Sequence, residues 1–121
     1  MGAHAINLRS KLEQITQLWS PRVIAQLNDY QLKLVRLQGE FIWHDHPDTD
    51  EAFLVLEGRL RIDLDGESVE LGPGELYVVP KGRRHKPSAL EDTQVLLIEP
   101  SGVLNTGREG GPRTAQNDLW V

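Results

Sequence analysis

Three histidines and one glutamate carry the chemistry that this sequence could perform. His44 and His46 stand two apart, Glu51 follows after four further residues, and His85 comes from a distant stretch. On an extended strand, residues two apart leave the same face, so the two imidazoles would point together. Pro47-Asp48-Thr49-Asp50 reads as a tight turn, and Glu51 would then begin a neighbouring antiparallel strand opposite the histidines. A carboxylate sharing a strand face with Phe53 and Val55 is out of place in a core unless it is paired or coordinates a metal. Pro80-Lys81-Gly82 forms a turn that could aim His85 back toward the others. Three imidazoles and one carboxylate form a borderline set of N and O donors, suited to one divalent ion: Mn, Fe, Co, Ni or Zn. An ion of octahedral preference would keep two positions for water, substrate or dioxygen, whereas four-coordinate zinc would keep none unless its shell expands.

The elements that must position these residues are short strands. From about residue 22 to 99, apolar runs are punctuated by turn residues every eight to twelve positions, the pattern of an all-β sandwich or barrel. Asn28-Asp29 separates Val23–Leu27 from Tyr30–Leu37, and Glu57-Gly58 separates Ala52–Leu56 from Leu60–Leu64. Asp65-Gly66 is a strong hairpin signal, because both central positions favour positive φ. Gly72-Pro73-Gly74 breaks the chain before Leu76–Val79, and a last strand is expected at Gln94–Glu99. Leu60, Ile62 and Leu64 alternate with Arg59, Arg61 and Asp63, so one face there is wet. Ala52–Leu56 is apolar on both faces and must be covered twice, either by an N-terminal helix or by a second copy in a homodimer.

That helix is expected within the first 20 residues. Leu8, Leu12, Ile15 and Trp19 recur at helical spacing, with Asn7 as N-cap and Ser20-Pro21 as the stop. Residues 101–121 carry Gly, Pro, Asn and Thr with little periodicity, which reads as a flexible tail unless Leu119 and Trp120 anchor it. The organisation is therefore a helical extension over 1–20, a barrel over 21–100 and a tail over 101–121.

Composition bounds the function classes. The 121-residue chain suits one core, and it contains no Cys, which excludes disulfides, thiolate ligands and cysteine nucleophiles. A net charge of −5 argues against a nucleic-acid footprint. No run approaches the roughly 18–20 apolar residues that span a bilayer, and the N-terminus lacks a signal-peptide pattern. No nucleic acid, no membrane and a cytoplasmic location are the expectations.

Two stretches resemble the paired motifs of the cupins. Gly39 through Gly58 contains His44-x-His46, then Glu51, then six residues to a glycine. Gly74 through His85 contains a glycine, five residues, Pro80-x-Gly82, two residues and a histidine. Four residues separate Gly39 from His44 where the usual motif has five, and Ala89 stands where the second motif usually continues to an Asn. The resemblance implies a double-stranded β-helix, or jelly-roll barrel, like that of small single-domain cupins and of phosphomannose isomerases. It also implies that His44, His46, Glu51 and His85 are the metal ligands. Cupins with this set include dioxygenases, isomerases and decarboxylases of small molecules. The alternative is a module that binds or senses a small, sugar-like ligand without turning it over.

Around the site, strand parity points Trp43 and Asp45 away from the metal. Asp45, Asp48 and Asp50 read as rim charges and as candidates to orient a ligand imidazole. Phe53, Val55, Tyr77 and Val79 alternate as cavity or core residues. Arg83, Arg84 and Lys86 read as a solvated turn, and His4 as incidental.

Overall fold

The computed structural model describes residues 2–121. One helix, α1 (Leu8–Glu13), is followed by seven strands: β1 (Arg22–Leu27), β2 (Tyr30–Glu40), β3 (Glu51–Glu57), β4 (Leu60–Leu64), β5 (Glu67–Leu71), β6 (Leu76–Val79) and β7 (His85–Pro100). All strand pairs are antiparallel, in the order β1-β2-β7-β3-β6, while β4 pairs with β5 and with the start of β7. This is a jelly-roll barrel with a short N-terminal helix. Strand β7 closes it: Ser88 through His85 pair with β4, and Thr93 through Pro100 pair with β2.

Turn chemistry sets the strand boundaries. Asn28 (φ 55°) and Gly66 (φ 81°) take the left-handed conformation at the β1–β2 and β4–β5 hairpins. Gly58 (φ 89°) has a second reason to be glycine: a Cβ there would lie 2.4 Å from Thr93 Oγ1. Strand β5 and the early half of β7 were not anticipated. β5, with the pattern Glu-Ser-Val-Glu-Leu, buries only Leu71 fully and carries almost no hydrophobic signal.

The interior is filled by Val35, Leu37, Phe53, Val55, Leu60, Ile62 and their neighbours from facing strands. A second cluster lies outside the sheet, where Leu12 and Ile15 pack on Ile24, Leu34 and Leu96, with Leu54, Leu56 and Val121 at its margin. Burying an aliphatic side chain of this size stabilises by roughly 1.5–3 kcal/mol. The N-terminal segment thus supplies the second cover that β3 requires, and the two-sided apolar pattern of that strand no longer calls for a partner chain.

The helix is shorter than the apolar spacing suggests. Asn7 caps it, its side chain accepting from Ser10 N–H at 2.9 Å, but the helix ends at Glu13 rather than at Ser20-Pro21. The Ile15 carbonyl instead accepts from the Arg36 guanidinium at 2.8 Å, and Trp19 adopts φ 60°. Tertiary contacts to β2 outcompete the last helical turns. A bulky residue in the left-handed region costs on the order of 1–3 kcal/mol and persists only where its surroundings hold it. Here Trp19 N–H donates to Arg36 O and its indole N–H donates to Gln38 O, while its own carbonyl accepts from Asn105.

The C-terminal segment is not a free tail. It crosses the barrel, and Val23 exchanges backbone hydrogen bonds with Leu119 and Val121. The anchor is backbone pairing rather than the Trp120 ring, which stays 54% exposed.

Candidate metal centre

His44, His46, Glu51 and His85 converge inside the barrel, each at most 4% exposed. One ligand atom from each lies within 4.8 Å of all the others. His85 opens β7, and His44 pairs with it through two backbone hydrogen bonds of 3.0 and 2.9 Å, which puts both rings on the inner face. The segment after β2 is otherwise irregular, so the two histidines do not lie on a continuous strand as parity arguments assumed. His46 is held instead by its carbonyl, which accepts from Gly82 N–H at 2.9 Å. Gly82, at φ 76°, belongs to the Pro80 turn that delivers His85. Glu51 does begin β3, but its strand neighbours are β6 and β7 rather than the histidine segment.

Tautomers follow from the hydrogen bonds. Nδ1 of His44 lies 2.9 Å from Ile42 O, and Nδ1 of His85 lies 2.9 Å from Arg83 O. A carbonyl can only accept, so each Nδ1 carries a proton, and in the neutral ring Nε2 is then the atom that offers a lone pair to an ion. Glu51 Oε1 stands 3.2 Å from His46 Nε2 and 3.4 Å from His85 Nε2. These contacts lack hydrogen-bond geometry, and all three atoms are buried without a partner. Buried polar atoms are ordinarily satisfied, and three converging exceptions fit donors arranged around a cation.

The electrostatics agree with this arrangement. Burial, reinforced by the neighbouring His85, lowers the His44 pKa to about 4, keeping the imidazole neutral. Burial opposes charge on Glu51, but positive charge on the adjacent His46 and His85 rings, when they are protonated, outweighs it and holds the carboxyl below its usual range; with neutral rings a bound cation would take that part. Beside it, burial and the Glu51 charge push Glu99 well above the ordinary carboxylate value, with Lys33 opposing. Ala52 pairs with Ile98, so the next pair along brings Glu51 and Glu99 side by side. Two adjacent carboxyls do not both ionise readily, and here Glu51 is the one kept charged.

Lys33 and Glu99 were missed. They form a buried pair at 3.5 Å, and Lys33 also donates to Val103 O at 3.3 Å. A signal existed for Glu99, which continues the inward parity of Val95 and Leu97 much as Glu51 does for Phe53 and Val55. Lys33 gave none, because a lysine between leucines reads as the wet face of a strand.

Asp45 is buried rather than a rim charge. Its carboxylate receives two hydrogen bonds from the Arg108 guanidinium, and its carbonyl accepts from Arg108 N–H at 3.2 Å. Hydrogen bonding to Arg108 lowers its pKa. Gly107 packs so closely that a Cβ would meet Asp45 O at 1.9 Å. The residue between the two histidines is thereby fastened from the C-terminal segment. Asp48 and Asp50 are exposed, Asp50 accepting from Lys81 N–H. Arg83, Arg84 and Lys86 engage Glu67, Glu109 and Glu40 on the surface, and His4 is exposed and remote. Phe53 reaches the cavity beside the site, whereas Val55 and Val79 belong to the packed core and Tyr77 lies partly buried against it.

A family model described as a cupin domain matches residues 33–99. The crystal structure of a cupin-2 domain containing protein from Shewanella frigidimarina is 53% identical and superposes with a TM-score of 0.77, covering 78% of this chain and 93% of that one. An uncharacterized Bacillus subtilis protein, YdbB, is 35% identical over 94 residues, 77% of this chain and 83% of its own. The quercetin 2,3-dioxygenase of the same organism is 44% identical over 45 residues, which is 37% of this chain and 13% of that enzyme. Among the described residues, no helix is long and apolar enough to cross a membrane.

Proposed function

The chain belongs to the cupin family, and from that premise we propose that His44, His46, His85 and Glu51 bind one divalent metal ion. The centre so formed acts on a small organic molecule by oxygenase- or isomerase-type chemistry. The observation that carries this reading is the convergence of His46 Nε2, His85 Nε2 and Glu51 Oε1, buried and without hydrogen-bond partners. The local likeness to a quercetin dioxygenase supports the oxygenase branch.

A bound ion of this class supplies Lewis-acid polarisation of a carbonyl or enolate oxygen. The chain supplies the rest. The carbonyls of Ile42 and Arg83 hold the rings of His44 and His85 in the tautomer that offers Nε2. Glu51 contributes a full negative charge, and its hydrophobic neighbours Phe53 and Leu97 keep bulk water from that charge. Pairing of two copies is a further part of the reading. It is supported by Leu76 and Val78, which lie exposed on edge strand β6. A monomeric mass by light scattering at micromolar concentration would remove that part alone.

Elemental analysis of protein purified without added metal tests the centre. About one equivalent of Mn, Fe, Co, Ni or Zn is expected, and His85→Ala should lose it. An empty site, with His85→Ala changing neither metal content nor melting temperature under added metal, overturns the reading.

A further inference from the structure

The candidate ligand atoms are shut in. His46 Nε2, His85 Nε2 and Glu51 Oε1 are out of reach of solvent. The cavity that His44 and Glu51 border measures about 30 Å³, room for about one water. A second cavity, of about 10 Å³, lies against Lys33 and Glu99. Neither admits a hydrated ion or an organic molecule, so a centre that fills and empties needs a wall that moves. Strands β2, β3 and β7 are held in continuous ladders and cannot part without unfolding the barrel. The two cavities share two other walls, Pro21 and Asn105.

Asn105 belongs to a stretch that is bonded largely to itself. The Thr106 and Thr114 hydroxyls lie 2.6 Å apart, Asn105 Oδ1 accepts from Ala115 N–H at 2.9 Å, and Asn105 Nδ2 donates to Arg113 O at 3.1 Å. Among the described residues between Gly102 and Asp118, one backbone-to-backbone hydrogen bond reaches the barrel, from Arg108 N–H to Asp45 O. The remaining ties are polar side-chain contacts. Asn105 Nδ2 donates to Trp19 O at 3.0 Å, Arg113 donates to Glu40 O at 3.3 Å, Arg108 meets the Asp45 carboxylate, and Glu109 pairs with Arg84. Leu104 and Ala115 are the only aliphatic side chains from 104 to 118, and Leu104 is exposed. A stretch with so little apolar burial opens at a small fraction of the cost of global unfolding. Its ends are fixed, by Ser101 N–H on Asp29 O and by Val23 N–H on Leu119 O, and beside them Gly102 (φ 89°) and Asp118 (φ 58°) sit where a hinge would turn.

We infer that residues 103–117 form a lid over the barrel mouth, latched by Asn105 to the Trp19 carbonyl, and that its opening admits whatever reaches the four buried side chains. The latch sits on the cavity wall itself, since Trp19 and Asn105 both line the space beside His44 and Glu51. The internal bonds let the stretch swing as one body between its two fixed ends. Opening removes the wall common to both cavities, so Lys33 and Glu99 come into reach together with the candidate ligands. The inference rests on the metal-centre reading for what passes the lid, but not for the motion itself.

Two measurements on the full chain test it. With Co(II) loaded, loss of the cobalt bands into excess EDTA should run at a rate independent of EDTA concentration, because opening limits it. Asn105→Ala should speed cobalt uptake and release alike, on the order of tenfold, and leave Kd within about twofold. A release rate that climbs in proportion to EDTA, unchanged rates in Asn105→Ala, or faster release with unaltered uptake overturns the lid while the centre stands. Hydrogen exchange reads the motion without metal. The Arg108 amide, bonded to Asp45 O, should exchange at least about a hundredfold faster than the amides of β7, and faster again in Asn105→Ala with β7 unaffected. An Arg108 amide as protected as those of β7, or equally protected in both proteins, overturns the lid. Failure of the parent chain to retain cobalt overturns the centre, and exchange alone then decides the lid.

Discussion

His44 and His85 exchange both of their backbone hydrogen bonds, at 3.0 and 2.9 Å, although 40 residues lie between them in the sequence. Residues paired in this way present their side chains on one face, so the chain's own ladder sets the separation of two candidate ligands. Their ring centroids lie 4.3 Å apart, with both Nδ1 atoms tied to carbonyls. The rings are in place before an ion binds. The centre is therefore preformed, and its predicted behaviour follows from that.

Metal removal should destabilise the fold without dismantling it. An ion present at 100 times its Kd adds about 2.7 kcal/mol of stability. For a domain of this size that corresponds to a melting-temperature difference of roughly 10 °C. Calorimetry of chelated and reloaded protein measures it. Identical melting temperatures would show that no ion binds the native state preferentially.

The two neighbouring carboxyls should behave differently. Glu51→Gln removes a charge aimed at the imidazoles and should abolish stoichiometric metal binding. Glu99→Gln replaces a carboxyl that burial already disfavours as an anion, and should retain the metal with less than about tenfold weakening. Metal content of the two purified variants decides between these assignments, since a reversed pattern would make Glu99 the ligand.

Arg108 should matter to metal affinity although it touches no candidate ligand side chain. Arg108→Ala leaves the buried Asp45 carboxylate without its partner and loosens the residue between His44 and His46, which keeps only its backbone bond from position 108. A loss of about ten- to a hundredfold in metal affinity is expected. Gly107→Ala should act in the same direction, because its Cβ would collide with Asp45 O. Competition against a chromophoric chelator reads both, and unaltered affinity in both would mean that the C-terminal segment does not position the site.

Acid should destabilise the metal-free chain in a defined window. Burial lowers the His44 pKa from 6.5 to about 4, so the unfolded chain takes up a proton that the folded chain refuses. The sign is that of a depressed pKa: the contribution is fully present above pH 6.5 and is lost progressively as pH falls toward 4. Urea unfolding of chelated protein across this range should show a declining midpoint. His44→Gln should flatten the decline, and an equally steep decline in that variant would remove His44 as its source.

The convergence of the candidate ligands was legible because their residue types are rare and chemically distinct: this chain has four histidines, and the motif picks out three of them. The hairpins were legible for a similar reason, since Asn28 and Gly66 sit where only a few residue types tolerate positive φ. The helix length was not, because Ile15 and Trp19 satisfy helical periodicity and yet give their backbone groups to Arg36 and Asn105. Nor was the route by which His44 and His46 face inward, which depends on the distant partners His85 and Gly82 rather than on local parity. The role of residues 105–113 was hidden most completely. Asn105, Gly107, Arg108 and Arg113 look like loop composition, and their partners Trp19, Asp45 and Phe41 lie more than 60 residues earlier.

Strand β7 also governs when the centre can exist during folding. It pairs with β2, β3 and β4, and its first residue is His85. Contacts that join residues 44–51 to residue 85 are long-range, and chains dominated by such pairings fold slowly because loop closure precedes its reward. The four donors thus assemble in the same event that zips the barrel shut. Uptake of an ion during refolding should then run no faster than the recovery of native fluorescence, making metal capture a timer for completion of the fold rather than its seed.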